Sequence, residues 1–187
     1  MSRQILELKN INAKDLLHQF DLFKAPVDLI KLCNEMEIPV NVSTTLEKLY
    51  SGDISVDSKG QVNIWVNAMG NNNRQRFTLA HEIGHLINDI IPHIENHQAK
   101  KFEDPATNFQ RSGTPSIEEY RANTFAADLL MPEELIIKEG KKIINFLKNK
   151  FETETINQDI FIEKMSEKFS VSKQAMDIKL KVLGLIE

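Results

Sequence analysis

Cysteine is nearly absent from this chain: among 187 residues only Cys33 occurs, so an internal disulfide and a cysteine-built metal cluster are both excluded. On an expected helix Cys33 reads as a small core residue rather than a nucleophile. Long apolar runs are missing as well, since nothing approaches the roughly 18 successive apolar residues of a membrane-spanning helix. The start, Met1-Ser2-Arg3-Gln4-Ile5-Leu6-Glu7, has no apolar stretch followed by a cleavage pattern. The expectation is a cytoplasmic protein with no membrane partner. An excess of positive charge is lacking too: the net charge of -4 gives no global attraction to nucleic acid, so any such contact must be local. Internal repeats and low-complexity tracts do not occur.

What is present begins with 41% hydrophobic residues, enough for a sizeable core in one compact domain with an appendage or in two small domains. The most informative segment is Phe77-Thr78-Leu79-Ala80-His81-Glu82-Ile83-Gly84-His85. On a helix His81 and His85 share one face and can hold one metal ion between their imidazoles. Glu82 projects about 100° around the axis from His81, which suits it to a water beside the metal rather than to the ligand set. Leu79, Ile83, Leu86, Ile87 and Ile90 form an apolar stripe on the other side of the same helix. The competing reading makes both histidines structural residues of an amphipathic helix.

A catalytic zinc site commonly has three protein ligands and one open position. A third histidine ten residues after the first, beyond a glycine, is excluded by Ile91 and Asn88. The donor must come from downstream, and the best source is the segment Ile117 to Pro132. There Ala122, Phe125, Ala126 and Leu129 form a helical stripe, with Glu119 and Asn123 one turn apart at its edge. The small Ala122 and Ala126 allow close approach to the first helix, and Met131-Pro132 ends the segment. Glu119 would complete a His2Glu set and Asn123 would hydrogen-bond a ligand from behind. Two alternatives stand beside this. Ser116-Ile117-Glu118-Glu119 fits a capping box in which Glu119 reaches back to the helix start, and Glu118 is the other candidate ligand.

The blocks Arg76-Phe77-Thr78-Leu79-Ala80-His81-Glu82-Ile83-Gly84-His85 and Glu119-x-x-Ala122-Asn123-x-Phe125-Ala126-Ala127-x-Leu129-Leu130-Met131-Pro132 together resemble the signature of the ImmA/IrrE family of metallopeptidases. The resemblance implies a zincin-like fold of the gluzincin kind, with His81, His85 and Glu119 binding one Zn2+ and Glu82 as general base. It also implies a protein substrate, because family members cleave helix-turn-helix repressors. The expected fold is α+β: a zincin-like core at 1–135 with N-terminal helices, a small mostly antiparallel sheet and two active-site helices, then a helical, helix-turn-helix-like region at 136–187.

The remaining elements follow local signals. Helices are expected over Ala13 to Phe20 and over Pro26 to Met36, the latter with proline at its first position. Ile38 to Val42 reads as a short edge strand beside Pro39. Ile54-Ser55-Val56 and Val62 to Val66 read as a hairpin around Asp57-Ser58-Lys59-Gly60. The second hairpin strand is the candidate to pair with an extended substrate, and Trp65 on it reads as core rather than cleft. Pro92 to Pro115 reads as a long loop, in which His93 and His97, together with Tyr120 downstream, are candidates to donate to an oxyanion. A helix after Glu134 is expected to break near Gly140, with the lysines around it a solvated face.

At the C-terminal end, Ile160 to Phe169 and Ser172 to Leu183 read as two helices, Ser172 capping the second. Lys173, Gln174 and Lys179 sit on what would be a recognition helix. Two functions therefore stand open: an endopeptidase with a narrow protein target, and a non-proteolytic regulator acting through DNA or a partner. Glu82 favours the enzyme, since mere metal binding has no need of it.

Overall fold

The computed structural model describes residues 2–44, 50–96, 102–105 and 116–187. Three N-terminal helices, α1 (Arg3–Leu6), α2 (Ala13–Gln19) and α3 (Leu29–Glu35), lead into strand β1 (Val40–Ser43) and the hairpin β2 (Tyr50–Val56) and β3 (Val62–Asn67). Helix α4 (Asn72–His85) continues through a π turn, Leu86–Ile90, and a 3-10 turn, Ile91–Asn96. A short strand β4 (Phe102–Pro105) precedes α5 (Ile117–Leu130), α6 (Glu133–Phe151), α7 (Gln158–Phe169) and α8 (Lys173–Val182). The fold is α+β.

Each boundary has a local cause. Asn12, Asn71 and Ser172 accept hydrogen bonds from backbone N–H groups in the first turns of α2, α4 and α8, as N-cap side chains do. The hairpin turns on Asp57, whose Oδ1 accepts from the N–H of Lys59 and of Gln61, and on Gly60 at φ +79°. The second expected helix starts later than Pro26: Asp28 is its cap, accepting from Lys31 N at 2.9 Å, and the Ala25–Pro26 bond is cis. Helix α6 runs through Gly140 without a break. One glycine costs about 1 kcal/mol of helix propensity, and burial of Leu135, Ile136 and Leu147 outweighs it.

The sheet order is β1-β3-β2-β4, with β1 parallel to β3 and the other two pairings antiparallel. β1 is at an edge, as Pro39 suggested. β3 is not: Ile64 pairs with Val40 on one side and Ile54 on the other, so both of its edges are taken and it cannot receive a substrate strand. Trp65 also departs from expectation. Strand alternation sends Ile64 and Val66 into the core and turns Trp65 outward, where it is 39% exposed. The expected loop after Pro92 contains, among its described residues, the 3-10 turn and β4; His97 lies outside them.

A single apolar cluster spans the molecule. It joins Leu16 and Leu32 of the N-terminal helices, Ile54 and Ile64 of the sheet, Ile83 of α4 and Leu129 of α5 to Phe169, Met176 and Leu180 of the last two helices. Arg76 of α4 reinforces the link: its guanidinium donates to the carbonyls of Val27, before α3, and of Ser170, between α7 and α8.

Candidate metal centre

Helices α4 and α5 cross against each other at Gly84. A Cβ there would lie 3.0 Å from both Cα and the carbonyl oxygen of Ala122, so only a bare backbone allows this approach. Ala122 and Ala126 are fully buried, as their place in the apolar stripe of α5 predicts. The expected stripe of α4 is buried too, but so is its opposite side: every residue from Thr78 to His85 is inside. The closeness of α5 has turned a site-bearing face into an interior one.

Into this crossing the two helices bring polar groups from both sides. His81 Nε2 and His85 Nε2 lie 3.0 Å apart, and the Glu119 carboxylate is 3.4 Å from each. The capping-box reading of Glu119 holds in part, since Ser116 Oγ accepts from its N–H. Its side chain, however, goes to the histidines and not back to the helix start. It stays about a quarter exposed, so the centre opens to solvent on the α5 side.

The far nitrogens of both rings are held by oxygens. His81 Nδ1 donates to Asn123 Oδ1 at 3.0 Å, the partner proposed from one-turn spacing, and His85 Nδ1 donates to Asp89 Oδ2 at 3.0 Å. Neither acceptor oxygen can donate, so the network sets the tautomer in each neutral ring: the proton is on Nδ1 and the Nε2 lone pair faces inward. Two lone pairs and a carboxylate then converge on one point, an arrangement that only a cation or a shared proton relieves. With metal–ligand bonds of about 2.1 Å at tetrahedral angles, neighbouring donors sit roughly 3.4 Å apart. The observed spacings fit one ion held by His81, His85 and Glu119. Two imidazoles and a carboxylate are a donor set suited to Zn2+.

Electrostatics point the same way. Burial opposes charge on His85, but Asp89, Glu119 and Glu82 together lift its pKa to about 9. Without an ion, hydrogen bonds that the protonated rings of His81 and His85 donate, followed by their charges, hold the Glu119 carboxyl far below the usual carboxylate range. The pocket is built for positive charge. Glu82 is fully buried in the wall next to His81.

Asp89 and Arg121 were not anticipated from sequence. Asp89 is buried in the π turn, takes Nη2 of Arg121 at 2.7 Å on its other oxygen, and so ties α5 to the ring of His85. A signal existed: Asp89 follows His85 by four residues, the same step that separates His81 from His85. His93 also packs on this turn, its Nδ1 donating to the Asp89 carbonyl at 2.6 Å. Tyr120, 69% exposed, is not among the groups brought together at the centre.

A mixed α+β fold with this two-helix donor set defines the class as a zincin-like metallopeptidase scaffold. The chain belongs to the Peptidase_M78 family, described as the IrrE N-terminal-like domain, which matches residues 36–181 and agrees with the resemblance to ImmA/IrrE metallopeptidases. A comparison with curated proteins finds no match. Among solved structures, the fold is similar to a Mycobacterium tuberculosis transcriptional regulator, at TM-score 0.55 and 13% identity. That similarity covers 96% of this chain and 47% of the regulator, so the chain spans about half its length.

Proposed function

We propose that this chain is a zinc-dependent endopeptidase with a narrow protein target, and that the target is a helix-turn-helix transcriptional repressor. One observation carries the hydrolytic part: a buried carboxylate, Glu82, adjoins a convergent set of His81, His85 and Glu119 that could hold an ion without it. Zn2+ held there supplies Lewis acidity, polarising a carbonyl and lowering the pKa of water towards about 7. Glu82 accepts the proton of the attacking water and passes it to the leaving amine. Asn123 and Asp89 hold Nδ1 of His81 and of His85 and so aim both Nε2 atoms into the site, and Arg121 balances the charge of Asp89. For the oxyanion we carry Tyr120 forward as a side chain that must turn in from solvent, since His93 already commits Nδ1 to the Asp89 carbonyl.

The repressor target rests on the family relationship. Within the described sheet, β4 is the edge strand next to β2, which touches Glu82, and strand pairing with substrate belongs there. We place the protein in the cytoplasm; no described helix is long and apolar enough to cross a membrane. The regulatory reading through DNA draws no support from α8. Lys173 faces Glu163 across a solvated pair, and Lys179, only 12% exposed, lies against Asp128, so acidic neighbours offset the positive charge that a phosphate backbone would need.

Coexpression with a helix-turn-helix regulator encoded beside the gene tests the proposal, comparing wild type with Glu82→Gln. Cleavage of the regulator by wild type alone is the expected result. Equal regulator levels in both, with zinc bound in both, would rule out that target.

A further inference from the structure

Strand β2 passes α4 at Gly52, paired with Val66 of β3 on one side and Asp104 of β4 on the other. A glycine inside a strand weakens it and packs nothing, so its presence calls for a reason. Conformation is not that reason, because its φ lies outside the positive range that side chains avoid. Space is. A Cβ on Gly52 would come 2.4 Å from Thr78 Cγ2, 2.8 Å from Glu82 Oε1 and 3.1 Å from the Trp65 carbonyl. Thr78 and Glu82 are one turn apart, so the same face of α4 that carries Glu82 is the face lying on β2.

We propose that Gly52 is a positioning residue for Glu82: its missing side chain leaves the recess in which the carboxylate lies beside the metal centre. The inference rests on the peptidase reading and adds a determinant of that reaction on another element of the fold. The two close contacts differ in kind. The Thr78 methyl is held near a buried backbone, whereas the Glu82 carboxylate ends a flexible side chain and yields by rotating away. Once Thr78 no longer obstructs it, a methyl at position 52 therefore displaces the general base, with the Trp65 carbonyl at 3.1 Å giving way by only a few tenths of an ångström.

This separates experimentally. In full-length protein carrying Thr78→Ser, which removes the nearer obstacle, Gly52→Ala is compared with Thr78→Ser alone, with wild type and with Glu82→Gln. Three readouts are taken: zinc affinity by chelator competition, cooperative thermal unfolding, and affinity of the zinc-loaded protein for a peptide hydroxamate, a probe that delivers its proton to the general base. The expected result is zinc affinity and unfolding like those of Thr78→Ser, with hydroxamate affinity reduced about 10²-fold, as misplacement of a catalytic group by about 1 Å produces. Hydroxamate affinity equal to that of Thr78→Ser would overturn the positioning role. Loss of zinc or of cooperative unfolding would overturn it as well, by making the contact a structural one. If wild type and Glu82→Gln bind the hydroxamate equally, the general-base reading itself fails and takes the proposal with it.

Discussion

The α4–α5 pair and the α7–α8 pair share one core, and both carry a pattern visible in the amino-acid sequence, yet they treat polar side chains in opposite ways. In α4–α5 the polar groups turn inward. His81, His85, Glu119, Asn123, Asp89 and Arg121 form one network, in which Glu119, Asn123 and Asp89 bond to the two histidine rings and Arg121 bonds to Asp89. In α7–α8 most turn outward and pair off locally, Lys164 with Glu167 and Lys173 with Glu163, while Lys179, only 12% exposed, reaches Asp128 of α5. Low dielectric makes the first set costly to leave incomplete, while water and salt make the second set nearly dispensable. A motif marks function here where its groups are buried and share partners; where they are solvated and self-paired, it marks packing.

That contrast can be broken from the inside outward. Asp89→Asn leaves the volume unchanged but weakens the hold on His85 and strands Arg121, and zinc affinity should fall about 10- to 100-fold in chelator competition. Unchanged affinity would mean that the π turn does not serve the centre. Gly84→Ala inserts a methyl 3.0 Å from the Ala122 backbone, and denaturant unfolding should show a loss of about 1–3 kcal/mol as α4 and α5 are forced apart.

The pH dependence of the metal-free protein follows from His85 and Glu119. His85 has a folded pKa raised from 6.5 to about 9, so its stabilising contribution is complete below about 6.5 and is lost as pH climbs through 9. Glu119 is shifted the other way; its contribution is present above 4.5 and is lost as pH falls below that value. Urea unfolding of chelator-treated protein should therefore show stability declining between pH 7 and 10, and His85→Gln should flatten that decline. Because the ion competes with the His85 proton, zinc affinity should rise over the same interval. On the outer pair the expected effects are smallest. Lys179→Ala, which also removes a largely covered stem, should cost about 1 kcal/mol, and Lys173→Ala, on a solvated ion pair, should leave the unfolding curve unmoved.

Much of the site was legible because its signals are local. The His81–His85 step and the Glu119–Asn123 step are both helical spacings, and Ala122 with Ala126 announced a close crossing. Gly84 completed that crossing from the other helix. What stayed hidden depended on distant chain segments. The central place of β3 arises from its parallel pairing with β1, and no periodicity within either strand encodes strand order. The segment Phe102–Pro105 has no alternation and ends in proline, so β4 has no strand signature of its own. Gly52 carries no signal of its own in the sequence, and only the packing of β2 on α4 shows what its bareness accommodates.

The central claim is that two helices jointly hold one metal ion through His81, His85 and Glu119. Zinc K-edge absorption spectroscopy of the purified protein, with stoichiometry measured on the same sample, tests it most directly. The account predicts one zinc per chain in a shell of nitrogen and oxygen at about 2.0–2.2 Å, with two imidazole signatures in wild type and the site lost or disordered in Glu119→Ala. A sulfur shell, or a wild-type spectrum retained in Glu119→Ala, would contradict it.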